Sequence, residues 1–143
     1  MFAKNQTLRL LITLVGGGDR PAFRRLYALL APETLLRVHG DVPEPGHAEA
    51  VVRATFCEVW WMCGSDRHRS APCQDVPQWI AGIAARRGAE RRTVLNQIGG
   101  DASSTGRSAS FVGMLAGHDL LMARELMAML DGPDTVLTRP CAA

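Results

Sequence analysis

An all-α fold is what this sequence predicts, and three observations predict it. Strand signals, alternating apolar and polar runs rich in β-branched residues, are almost absent. Apolar residues recur instead at helical spacing along most of the chain. Between those stretches stand breakers: Gly16-Gly17-Gly18, and a turn of Pro and Gly at 39–47. The 143 residues, 47% of them hydrophobic, suffice for one compact domain, or a small domain with an appended element, and exclude wholesale disorder.

The elements follow in order. Residues 5–15 read as a first helix ended by the three glycines. Asp19 is placed to cap a second helix, with Pro21 near its first position, where a missing N–H costs nothing. That helix runs to about His39, with Phe23, Leu26, Tyr27, Leu30, Leu35 and Val38 near one face and Pro32 as a kink. A third spans about 47–62 and sets Val52, Phe56, Val59, Trp60 and Cys63 on one stripe. A polar loop follows, and 77–95 form a fourth helix with Trp79, Ile80, Ile83 and Ala84 inward. Residues 96–108 have the composition of a linker, 109–130 form an amphipathic helix, and 131–143 are a tail. The expected architecture is thus a bundle of about four helices over 1–95 with a C-terminal amphipathic helix.

A net charge of +2 points to no partner, but its distribution is uneven. Counting Lys and Arg against Asp and Glu, residues 1–18 carry +2, 19–66 carry −2, 67–92 carry +4 and 93–143 carry −2. The positive segment holds Arg67, Arg69, Arg86, Arg87, Arg91 and Arg92, which is either a nucleic-acid footprint or a solvated face. The longest apolar run, 10–15, is far too short to cross a bilayer, so no membrane is expected. No cleavage site follows it, and the expected location is the cytoplasm.

Three segments in order carry a resemblance: GDRPAFRRLY at 18–27, HAEAVVRATFCEVW at 47–60 and QWIAGIAARRGAERR at 78–92. Together they resemble region 2 of the extracytoplasmic-function sigma factors. The matching positions are Gly18, Asp19, Ala22, Phe23, Leu26, Tyr27, Ala48, Glu49, Thr55, Phe56, Val59, Trp60, Trp79, Ile83, Ala84 and Arg92. The resemblance implies a sigma-like transcription regulator that docks on core RNA polymerase and captures single-stranded bases of the promoter −10 element. Positive charge would track the strand while aromatic or apolar side chains hold bases. The residues implied to contact DNA are Arg67, Arg69, Trp79, Arg86, Arg87, Arg91 and Arg92.

Two departures from the family pattern open another reading. The family's third helix carries acidic residues and Gln-Glu where this chain has His47, Ala50, Arg53 and Ala54. Ala50, Ala54, Cys57 and Trp61 then fall along one stripe, with Arg53 and Glu49 beside it. The six are the expected interface with polymerase or another partner. Trp61 cannot share the face of Trp60, so the last helix or a partner protein is expected to cover it. Beyond 108 there is one Met-rich helix, with Leu115, Leu120, Leu121, Met122, Leu126, Met127, Met129 and Leu130 apolar, in place of a −35-reading helix-turn-helix. The alternative is therefore a protein-interaction module without direct DNA binding: a sigma decoy for an anti-sigma factor or other regulator, or a helical dimer.

Cys57, Cys63, His68 and Cys73 supply the ligand types zinc requires, without a tight knuckle spacing. A Cys63–Cys73 disulfide is a second reading, and free thiols the plainest. No metal or other cofactor is expected. No P-loop, G-x-S-x-G or H-E-x-x-H motif occurs, so no enzyme is expected.

Overall fold

The computed structural model describes residues 2–64, 75–100 and 105–131. It is all-helical: α1 (Phe2–Gly16), α2 (Arg20–Asp41), α3 (Pro45–Cys63), α4 (Val76–Gly100) and α5 (Thr105–Asp131). No described helix is long and apolar enough to cross a membrane.

The joint between α1 and α2 follows from three residues. Gly18 sits at φ +88°, a left-handed conformation that costs other residues steric strain. Around it the Asp19 N–H donates to the Leu14 carbonyl and the Gly18 N–H to the Val15 carbonyl, which closes the end of α1. Asp19 then turns its side chain forward and accepts from the Ala22 N–H at 3.0 Å, capping α2. Gly16 is needed for a different reason: a Cβ there would lie 2.9 Å from the carbonyl oxygen of Cys63, where α1 meets the end of α3. Substituting Gly18 with Ala should lower the stability by about 1 kcal/mol, the cost of a left-handed L-residue, read as a shift in denaturant midpoint at constant slope.

α2 and α3 form the centre. Phe23, Leu26 and Leu30 of α2 meet Val52, Phe56 and Val59 of α3, all buried. Two edge-to-face pairs lock them, Phe23–Trp60 at 5.1 Å and Tyr27–Phe56 at 5.0 Å between ring centroids. α1 adds Leu8, Leu11 and Val15, α4 adds Val76, Ile80 and Ile83, and α5 adds Met122, Leu126 and Met129. Two buried hydroxyls are satisfied locally: Thr34 and Thr55 donate to the carbonyls of Leu30 and Val51 one turn back. Pro32 lies inside α2 and has no N–H to offer the carbonyl of Ala28.

Two expectations about organisation change. Residues 96–108 were expected to be a linker, yet 96–100 continue α4 and 105–108 begin α5. Nor is α5 an appendage, since its Met122, Leu126 and Met129 belong to the same core as α2 and α3. Its last turn is fastened by Arg24, whose Nη1 donates to the Leu130 carbonyl at 2.8 Å.

Candidate interaction surface

The four arginines of α4 decide what its basic face can do. Arg86 and Arg87 converge on one carboxylate, that of Glu58 on α3, at 2.5 and 2.8 Å. Arg92 holds Glu44, ahead of α3, at 2.9 Å. Arg91, only 8% exposed, grips Asp119 of α5 through both terminal nitrogens, at 3.0 and 2.6 Å. Its Nη1 also lies 3.2 Å from Nδ1 of His47 on α3. Arg91 is thus a clasp joining α3, α4 and α5, and its expected place on a DNA-contacting surface is corrected. Arg86, with 54% of its side chain exposed, is the most accessible of the four. Trp79 is half-buried against the core, and Arg67 and Arg69 lie outside the described residues.

Glu58 shows what these pairs do to acidity. Burial would push its carboxyl up, but the hydrogen bonds from Arg87 and Arg86 outweigh burial and hold it below the ordinary value of 4.5. A carboxylate whose folded pKa is depressed stabilises the fold at pH above its unfolded value, and that contribution is lost as pH falls through the folded one. Thermal melts should show stability falling as pH drops below about 4.5, with Glu58→Gln less stable at neutral pH and its profile flatter in the acid range.

The expected partner interface divides in two. Ala50, Ala54 and Cys57 are buried, because α5 lies across that stripe and Met122 offers its backbone carbonyl to the Cys57 thiol at 3.5 Å. Small side chains along this stripe permit the close approach of α5 seen at Cys57. Trp61, at the end of the stripe, is 44% exposed and escapes the cover. Glu49 is exposed and Arg53 partly so, at 4.0 Å from each other. α5 in turn shows Leu120, Leu121 and Met127 to solvent.

Cys57 and Cys63 are free thiols, both pushed up to about 11, chiefly by burial. Thiols held in that form are poor metal ligands. No group of three metal-ligating side chains occurs among the described residues. His68 and Cys73 lie outside those residues. The side chains that sequence reasoning missed are the arginines' partners, Glu44, His47, Glu58 and Asp119.

No protein-family model matches the chain, and no curated protein or solved structure matches it. Over the described residues the fold is a bundle of five helices whose last helix is built into the core.

Proposed function

We propose that this protein acts in the cytoplasm by contact with another protein, as a non-enzymatic interaction module of the sigma-decoy kind, and does not grip promoter DNA itself. One observation carries this reading: the guanidinium groups of Arg86, Arg87, Arg91 and Arg92 are already engaged by Glu58, Asp119 and Glu44. A phosphate backbone would have to displace those carboxylates, and at Arg91 pull a buried pair apart. The contact face is the apolar edge of α5, Leu120, Leu121 and Met127, with Trp61 exposed on α3. Apolar side chains left in water at this density suit an adaptable, Met-bearing protein contact.

The sigma-like regulator is the second reading. Arg86 favours it, being more than half exposed despite its pair. Fluorescence anisotropy with a single-stranded −10 oligonucleotide across a salt series separates the two, alongside sedimentation with core RNA polymerase. The decoy reading expects neither to bind, and expects a purified anti-sigma domain to be captured in a manner that Leu121→Glu abolishes. Binding to DNA that weakens steeply with salt, by a log–log slope of roughly 0.7 per phosphate contacted, would establish the regulator instead.

A further inference from the structure

A groove of about 440 Å³ runs between α2 and α3, on a side of the bundle that the arginine clasp does not use. Its volume falls in the range of small-molecule sites. Ala28, Leu35 and Val52 line it with apolar surface, and Tyr27 and Pro32 form part of its wall. Glu49 and Arg53 stand at its polar edge.

Arg53 carries an anomaly that, among the described residues, Arg92 shares. Its Nε is shut off from solvent with no hydrogen-bond partner among the described residues. Its nearest carboxylate oxygen, on Glu49, is 4.0 Å from Nη1, beyond hydrogen-bond reach. A guanidinium always carries its charge, so this one stands beside an apolar channel with one N–H unplaced and the Glu49 carboxylate 4.0 Å away. The phenol of Tyr27 lies within the electrostatic reach of the same guanidinium. A guanidinium at the polar edge of a groove walled by hydrocarbon defines one kind of ligand.

We propose that this groove binds an amphiphilic monocarboxylate, a medium-length acyl or aryl acid, with its carboxylate on Arg53 and its chain along Leu35 and Val52. The charged end supplies direction and the chain supplies apolar burial, the usual division of labour in such sites. The site is independent of the decoy reading, since neither α5 nor the arginines of α4 take part.

The probes are decanoate, 1-decanol and decyltrimethylammonium, each below its aggregation limit. Binding is followed by calorimetry and by the methyl resonances of Leu35 and Val52. Decanoate should bind one to one and shift those methyls, decanol should bind about tenfold more weakly, and the cation should not bind. Arg53→Gln should bring decanoate down to the affinity of decanol while leaving decanol unchanged, which also shows that the variant is folded. Ala28→Trp, a solvent-facing substitution that fills the groove, should abolish both. Equal binding of all three probes, shifts scattered over the whole bundle, or no binding at millimolar decanoate overturns the proposal. An Arg53→Gln variant that loses decanol as well overturns the anchoring role.

Discussion

Replacing Asp119 with Ala should destabilise the protein by about 3 kcal/mol, the cost of stripping the partner from a buried charge. Arg91 keeps its charge at any accessible pH, and its 8% exposure leaves little water to replace the carboxylate. Glu44, just ahead of α3, is already held by Arg92. The loss should be local first. Asp119 is on α5, so removing it loosens the helix that covers Ala50, Ala54 and Cys57. Cys57 reports this directly: in the native protein its thiol is buried, pushed up to about 11 and bonded to the Met122 carbonyl, and it should resist alkylation. In Asp119→Ala the alkylation rate should rise well before the denaturant midpoint is reached. The double variant Arg91→Met with Asp119→Leu should recover most of the stability, because two apolar side chains of similar volume tolerate the site. Unchanged Cys57 reactivity in Asp119→Ala would mean that apolar packing of Met122, Leu126 and Met129 alone fixes α5.

Much of this fold is legible in the sequence, and the limit has a physical cause. Periodicity and breakers act within one helix, so α1 to α4 begin within three residues of where the pattern puts them. Capping is also local: Asp19 caps as its position suggests, and Asp75, ahead of α4, accepts from the Gln78 N–H at 3.1 Å. Residues 96–100 and 105–108 mislead because Gly, Ser and Asn disfavour helix by only about 0.5–1 kcal/mol each, which an already nucleated helix overrides. The arginines' partners were less legible. Arg87 and Glu58 are 29 residues apart, and no helical spacing rule reaches across that gap. A cluster of charge in the sequence therefore says nothing about where its counter-charges lie. One signal was available: Asp119 is the single Asp, Glu, Lys or Arg in 111–123, a stretch of α5 that is apolar but for His118, and a lone carboxylate among apolar residues calls for a buried cation.

Phe56→Ala should cost about 4 kcal/mol, the largest effect expected of any single change here. The ring is wholly buried at the crossing of α2 and α3, and no polar group stands ready to refill the space. It also supplies the edge-to-face partner of Tyr27, a pair worth about 1 kcal/mol beyond its area. Against a typical net stability of roughly 5–15 kcal/mol, the variant should melt far earlier and stay barely folded at 37 °C. Phe56→Leu refills most of the volume and should cost about 1.5 kcal/mol, so the difference between the two isolates the cavity. The comparison bears on the groove too, since Tyr27 is one of its walls and Phe56 is what Tyr27 rests on. In Phe56→Leu, still folded, decanoate affinity should fall several-fold as the phenol loses its fixed position, while the Arg91 clasp and Cys57 protection stay as they are. A Leu variant that loses both together would mean that α2, α3 and α5 yield as one unit, and that groove and clasp are two faces of a single cooperative core.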